Sequence, residues 1–191
     1  ADVTRTGDTL RPNETYTATI PVVIPEGIFG TYFFYVETDY GSVIYEHAYD
    51  GNNISQGDTS NVILRPPADL EVSDIIIPAS VTNIGTAAIS WKVTNLGNSS
   101  PNDKDWYDGV FLSTLPVFDP SKAYNFNFSR SATPNGIPLG MEYTANENIL
   151  IPNDIVPGNY FVYVKTDNYN KVFEYTYEEN NLSRSNSTLN I

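Results

Sequence analysis

The sequence predicts an all-β fold, a sandwich or barrel built from short strands. Aromatic residues are abundant, with 14 Tyr and 9 Phe among 191 residues, and such residues favour strands over helices. The 13 Pro and 12 Gly separate short runs of alternating apolar and polar residues, which is the pattern of half-buried strands joined by turns. A third observation, an internal repeat, divides the chain into two parts.

The repeat relates residues 30–55 to residues 158–183 at a constant offset of 128, and 12 of these 26 aligned positions are identical. Upstream, residues 16–18 match residues 143–145 at an offset of 127, and the length change falls in a turn, where it is tolerated. We therefore predict three segments: the back half of a sandwich over 1–65, a Pro-rich linker over 66–68, and a complete sandwich of about seven strands over 69–191.

Alternation predicts the individual strands. In the complete copy they cover residues 70–77, 87–95, 106–113, 123–128, 142–151 and 158–167, with a last strand near 187–191. In the first copy they cover residues 16–24, a stretch from Gly30 onward, and residues near 61–64. Within the repeated strand, the face that carries Glu37 in one copy and Lys165 in the other is expected to meet solvent.

The charge balance argues against nucleic acid or membrane partners. The formal net charge is −13 with only 10 Lys and Arg, whereas binding to phosphates needs a basic stripe. No apolar run approaches the roughly 18 to 20 residues of a membrane helix, so we expect no membrane insertion. The absence of cysteine excludes disulfides and thiolate metal sites, and is compatible with a bacterial exterior.

No motif of a catalytic site is present, and we expect the chain not to be an enzyme. The sequence has no nucleophile elbow, no phosphate-binding glycine loop and no His-Glu-x-x-His zinc motif. Its one histidine, His47, aligns with Tyr175 in the second copy, which indicates a solvated loop residue. Among the 23 Asp and Glu, nothing selects a pair for acid and base catalysis.

No cofactor is required, but calcium is a candidate ligand because both copies keep oxygen-bearing side chains at matching loop positions. These are Asp39, Glu46, Asp50 and Asn53 in one copy, and Asp167, Glu174, Glu178 and Asn181 in the other. The competing interpretation is that Asp and Asn shape the turn while Glu faces water, and the sequence favours it because repeats retain turn chemistry for folding alone. A second pattern, Asp103-x-Asp105-x-x-Asp108-Gly109, departs from an EF-hand loop by one position.

Two further sets of residues are candidates for surface chemistry. Asn-x-Ser/Thr triplets, which are glycosylation acceptors on an exported surface in some organisms, begin at Asn13, Asn53, Asn98, Asn127, Asn181 and Asn186. Exposed loop tyrosines could stack against cell-surface glycans, and the candidates are Tyr40, Tyr45, Tyr49, Tyr169 and Tyr177. Chance in Asn-rich loops and ordinary sandwich packing explain the two sets equally well.

Four motifs in order resemble the CARDB family, the cell-adhesion-related domain found in bacteria. They are Pro67-Ala-Asp-Leu-Glu-Val-Ser73, Trp91-Lys-Val-Thr-Asn-Leu-Gly97, Trp106-Tyr-Asp-Gly-Val-Phe-Leu-Ser113, and Gly158-Asn-Tyr160 through Glu174 to Asn180-Asn181. The resemblance implies an immunoglobulin-like β-sandwich and a non-catalytic tandem module of secreted or surface-attached prokaryotic proteins.

The resemblance also gives two expectations for individual residues. Gly-x-Tyr at Tyr32 and Tyr160 resembles the strand whose tyrosine hydroxyl bonds back to the main chain, with Phe34 and Val162 in place of the usual cysteine. Glu147 departs from the pattern, since the other copy has an apolar residue on the corresponding core face.

A half-sandwich over residues 1–65 would show a core face to water, at a cost on the order of 5 to 10 kcal/mol from roughly 25 cal/mol per Å² of apolar surface. Three explanations follow: a piece of a tandem array, completion by another molecule through β-strand augmentation, or head-to-tail assembly of identical chains. We expect a non-catalytic extracellular structural or adhesive module of a repetitive surface protein or fibre. The alternative is a calcium- or carbohydrate-binding accessory module of a larger secreted enzyme.

Overall fold

Nine β-strands and three short 3₁₀ turns form the regular structure of the part of the chain that the computed structural model describes, residues 4, 10–101, 105–130, 137–138 and 140–191. The strands are β1 (Gly30–Glu37), β2 (Ile54–Val62), β3 (Leu70–Ile76), β4 (Thr86–Asn95), β5 (Trp106–Ser113), β6 (Tyr124–Arg130), β7 (Glu142–Leu150), β8 (Asn159–Lys165) and β9 (Leu182–Asn190). The predicted all-β class is confirmed. The chain divides into unit 1, residues 1–64, and unit 2, residues 65–191.

Unit 2 is a sandwich of two antiparallel sheets. One sheet has the strand order β3-β4-β7, and the other has the order β6-β5-β8-β9. Because successive side chains of a strand point to opposite faces, the alternating apolar residues of each strand meet between the sheets. The fully buried side chains there include Leu70, Ile89, Trp91, Val93, Val110, Leu112, Ile149, Val162 and Leu189.

The segment that follows the two prolines packs onto unit 2. Ala68 is 1% exposed, and its N–H donates to the carbonyl of Phe173 over 3.1 Å. Its backbone passes directly against Gly97, where an added Cβ would lie 2.4 Å from the Ala68 carbonyl carbon. Gly97 is therefore fixed by the close approach of two backbone segments.

Tyr160 forms the main-chain contact expected of this strand. Its hydroxyl donates to the carbonyl of Val156 over 2.6 Å, and its ring is buried. Val162, in the position of the usual cysteine, is fully buried, so apolar packing joins the two sheets there.

The expectation that the other face of β8 meets solvent is wrong at Tyr163. This side chain is 3% exposed because the segment after β5 folds over it, bringing the ring of Phe118 to 5.1 Å from its own. Its hydroxyl donates to the carbonyl of Leu115 over 2.9 Å. Phe161 and Lys165, on either side of Tyr163 on this face, are partly exposed.

Unit 1 contains a single two-stranded antiparallel sheet, β1-β2. A β-bulge lies between Phe33 and Tyr35, and β8-β9 has one between the equivalent residues, Phe161 and Tyr163. None of the described residues of unit 1 is buried.

The strand predicted over residues 16–24 is absent, so that prediction is wrong. Its equivalent in unit 2 is β7, which forms hydrogen bonds with β4 alone. The described residues of unit 1 hold no counterpart of β4, and an alternating segment forms a strand only beside a neighbouring strand.

Candidate functional site

The loops that follow β1 and β8, residues 38–53 and 166–181, share one backbone design. Each is closed by a bond between its first N–H and its last carbonyl, Thr38 to Asn53 and Thr166 to Asn181, both at 2.9 Å. Residues with positive φ recur at an offset of 128: Asp39 and Asp167 at 47° and 40°, Ser42 and Asn170 at 49° and 50°, His47 and Tyr175 at 58° and 57°. The two loops therefore share their closing bond and the positions of their left-handed residues.

The aspartates at the start of each loop bind the backbone. The carboxylate of Asp39 accepts from the N–H groups of Val43 and Ile44, both over 2.9 Å. That of Asp167 accepts from Lys171 and Val172 over 2.8 and 2.7 Å. Burial raises the pKa of Asp167, and these two backbone bonds oppose the shift. Both side chains thus perform turn chemistry.

Glu174 is a buried carboxylate at the centre of the second loop. It accepts hydrogen bonds from the N–H of Leu70 over 2.8 Å and from the side-chain amide of Asn181 over 3.1 Å. Burial raises its pKa to about 8; the bonds from Leu70 and Asn181 oppose that shift, and the charges of Glu178 and Asp167 reinforce it. Glu174 therefore anchors the first strand of unit 2 to the loop.

The equivalent side chain in unit 1, Glu46, lacks such a donor. Its Oε2 atom is shielded from solvent and has no hydrogen-bond partner. Over the described residues, no three His, Cys, Asp or Glu side chains are grouped so that they could hold a metal ion. Calcium at Asp39, Glu46, Asp167, Glu174 and Asn181 remains a prediction.

The remaining candidates lie in different surroundings. Among the glycosylation candidates, Asn13, Asn98, Asn127 and Asn186 are exposed, Asn53 is partly exposed and Asn181 is fully buried with its amide bonded to Glu174. His47 is exposed, and its ring lies 6.2 Å from that of Tyr45. Asp103, the first residue of the EF-hand-like pattern, lies outside the described residues.

Sequence reasoning missed the role of Asp108, a fully buried carboxylate on β5. It accepts four side-chain hydrogen bonds, from Trp91 Nε1 at 3.0 Å, Arg130 Nε at 2.8 Å, Tyr143 hydroxyl at 2.6 Å and Thr166 hydroxyl at 2.8 Å. Burial, together with the Asp108 charge, raises the pKa of Tyr143 above its ordinary value, so its hydroxyl keeps its proton. The signal in the sequence was an Asp whose alternation with Trp106 and Val110 places it on the core face.

Arg130 extends this network to Glu147. Its Nη1 donates to the Glu147 carboxylate over 2.9 Å, and its guanidinium lies 5.3 Å from the ring of Trp91. Glu147 lies on the same face of β7 as the buried Ala145 and Ile149. The ion pair with Arg130 explains how a carboxylate occupies a core-facing position.

The most distinctive surface of the described chain is the apolar face of β1. Tyr32, Phe34 and Val36 are 38%, 37% and 65% exposed. Their equivalents in unit 2, Tyr160, Val162 and Val164, are 4%, 0% and 0% exposed. We call the surface formed by Tyr32, Phe34 and Val36 the open face.

The edge of β1 is open as well. In unit 2, β8 lies between β5 and β9, with Val164 opposite Val110 and Val162 opposite Leu112. Among the described residues of unit 1, β1 pairs with β2 alone. A row of backbone donors and acceptors along β1 is therefore available to another strand.

Comparison with known proteins adds to this description. No family model and no curated protein matches the chain. A crystal structure of a domain from Pyrococcus furiosus in complex with di-metal ions is similar at 21% identity and a TM-score of 0.43, covering 64% of this chain and 94% of that domain. The solution NMR structure of the same domain is similar at 20% identity and a TM-score of 0.38, covering 65% and 94%. Both neighbours are CARDB domains. They are the kind of domain that the sequence motifs resemble.

The raised pKa of Glu174 predicts how the stability of unit 2 depends on pH. An unfolded glutamate has a pKa of 4.5 and the folded one about 8, so the folded state binds the extra proton between these values. Stability from this group is fully present below pH 4.5 and falls as pH rises towards 8. At about 1.4 kcal/mol per pKa unit, the loss amounts to several kcal/mol. Chemical denaturation followed by tryptophan fluorescence across this range measures it.

Glu174→Gln is expected to flatten this dependence and to make unit 2 more stable than the unmodified chain at high pH. Glu179→Gln is the matched control, because Glu179 is exposed in the same loop. An unchanged pH profile in Glu174→Gln would contradict the assignment.

Proposed function

We propose that this chain is a non-catalytic structural or adhesive module of a repetitive extracellular protein or fibre, and that a neighbouring chain or domain covers its open face. The β-sheet architecture of the chain is established. The adhesive role, the extracellular location and the association are the proposal.

One observation carries the proposal: unit 1 exposes side chains that unit 2 buries at equivalent positions. Burying one Val or Phe side chain stabilises a protein by about 1.5 to 3 kcal/mol. Three large apolar side chains at alternate positions on one face of a strand, beside an open strand edge, form a surface suited to association.

Composition supports an extracellular location. The chain has no cysteine and a formal net charge of −13, a combination compatible with a secreted, highly soluble surface protein. Within the part of the chain that the structure describes, no helix has the length and apolar character needed to span a bilayer.

The solution mass of the chain, measured by light scattering over a range of concentrations, tests the association. We expect a defined oligomer or a filament. High salt should strengthen it, because two copies that each carry −13 repel one another at low salt. The measurement is made with and without calcium, which also shows whether that ion contributes.

A matched pair of variants distinguishes association through the open face from nonspecific association. Phe34→Ser removes an aromatic ring from the open face, whereas Phe33→Ser removes one from the opposite face of the same strand. We expect association to be lost in the first variant and retained in the second. A monomer at every concentration and salt would contradict coverage of the open face by a second copy of the chain.

Carbohydrate binding is the second candidate function. The loop tyrosines Tyr40, Tyr45 and Tyr49 are 78%, 86% and 71% exposed, and exposed aromatic rings are suited to stacking against sugars. Tyr169 and Tyr177 in unit 2 are less exposed, and the ring of Tyr169 lies 5.4 Å from that of Tyr107.

Affinity electrophoresis in gels containing soluble polysaccharides tests this candidate. If it is correct, Tyr45→Ala and Tyr49→Ala abolish the retardation of the protein, while Tyr175→Ala, at a less exposed ring of the other loop, leaves it unchanged. Equal migration of all three variants and the unmodified chain, with and without polysaccharide, would exclude stacking at these residues.

A further inference from the structure

A comparison of unit 1 with unit 2 indicates which kind of segment covers the open face. The informative residues are those of unit 1 whose equivalents in unit 2 contact the other half of the sandwich. Unit 2 can be divided into a front half, residues 65–130, which carries β3 to β6, and a back half, residues 140–191, which carries β7 to β9. Unit 1 corresponds to the back half alone. Every contact between the halves of unit 2 therefore indicates what unit 1 would contact in a partner.

The first such contact involves the loop carboxylate. In unit 2, Glu174 Oε2 accepts from the backbone N–H of Leu70 at the start of β3. In unit 1, the equivalent Oε2 of Glu46 is shielded from solvent and has no donor. A buried acceptor without a donor is costly, and the backbone N–H of an incoming strand would satisfy it.

A second contact lies beside it. The Asn180 amide donates to the Asp69 carboxylate over 2.6 Å, and the equivalent residue of unit 1 is Asn52, which is exposed. A partner strand that begins with Asp-Leu, as β3 does, would meet Asn52 and Glu46 together.

The third contact concerns the buried carboxylate of the front half. Two of the four donors to Asp108 lie in the back half, the hydroxyls of Tyr143 and Thr166. Unit 1 keeps both residue types, as Tyr16 and Thr38, at offsets of 127 and 128. Arg5, which lines up loosely with Arg130 at a different offset of 125, lies outside the described residues.

The open face and the free edge of β1 complete the pattern. Val36 and Phe34 are equivalent to Val164 and Val162, which lie opposite Val110 and Leu112 of β5. Residues 16–24 are equivalent to β7 and lack the β4-type strand with which β7 pairs.

We propose that unit 1 is a receptor for a polypeptide segment with the strand order and side-chain chemistry of residues 66–113, the front half of another domain of the same kind. The segment adds one strand to residues 16–24 and another to the free edge of β1. Its aspartate equivalent to Asp108 is bound by the hydroxyls of Tyr16 and Thr38. This inference rests on the proposed association and names its partner.

The binding segment determines the structure of residues 16–24. With a β4-type neighbour, the alternating side chains Tyr16, Ala18 and Ile20 gain a sheet partner and a covered face. Without it, the same residues stay outside the sheet, as the structure shows. Strand formation over 16–24 is therefore coupled to binding.

An extended chain, with a copy of residues 66–127 placed before Ala1 of the full sequence, tests the inference. The join preserves the sequence distance between β5 and the segment equivalent to β7, because Tyr16 aligns with Tyr143 at an offset of 127. We expect amide hydrogen exchange at residues 16–24 and 32–36 to slow by at least about 100-fold. Exchange in β8 of unit 2 serves as the internal reference. The extended chain is expected to be a monomer.

Matched variants test the carboxylate contact. In the added segment, Asp108→Asn is expected to remove most of the gained protection, whereas Asp105→Asn, at an exposed position, retains it. In unit 1, Thr38→Val is expected to reduce the protection and Thr31→Val to leave it unchanged.

Two results overturn the inference. One is unchanged exchange at residues 16–24 and 32–36 in the extended chain. The other is self-association of the extended chain equal to that of the original, since the open face would then bind a second copy instead. A monomeric original chain combined with strong protection in the extended chain would contradict coverage of the open face by a second chain and leave this inference standing.

Discussion

The structure depends on the carboxylate of Asp108. It lies on β5, and its four donors come from β4, from β6, from β7 and from the residue after β8. One buried group thereby links both sheets and both halves of unit 2. Removing one partner of such a network leaves a charge buried without compensation, which typically costs 3 to 5 kcal/mol. The network also fixes the register in which the two halves meet, because each donor reaches the carboxylate from a single strand position.

The dependence of each half of the sandwich on the other also explains the structure of unit 1. Its loop after β1 is built as in unit 2, down to the two backbone N–H groups that Asp39 binds. Local sequence is sufficient for that loop and for the β1-β2 hairpin. It is insufficient for a strand at residues 16–24, because a strand of this kind needs a neighbour, and it is insufficient to bury Tyr32 or Phe34. Unit 1 therefore has the local structure of a sandwich without its core.

Much of the fold followed from sequence, and the errors share one physical cause. β5 has the predicted limits, residues 106–113, and a bend follows it directly. The burial of Tyr163 was missed because Phe118 and Leu115, far away in sequence, cover it. The position of Glu147 depends on Arg130, which lies on a strand of the opposite sheet. Alternation in the sequence indicates which residues of one strand share a face. It carries no information about the residues of other strands and loops that contact them.

Residue-resolved amide hydrogen exchange of the unmodified 191-residue chain tests the central claim most directly, because it compares equivalent positions within one molecule. The account predicts fast exchange at residues 16–24 and slow exchange at the equivalent residues 143–151, although the two loops at 38–53 and 166–181 share the backbone hydrogen bond that closes each of them. Equal protection of residues 16–24 and 143–151 in the monomeric chain would mean that unit 1 completes its own core, and would contradict the account.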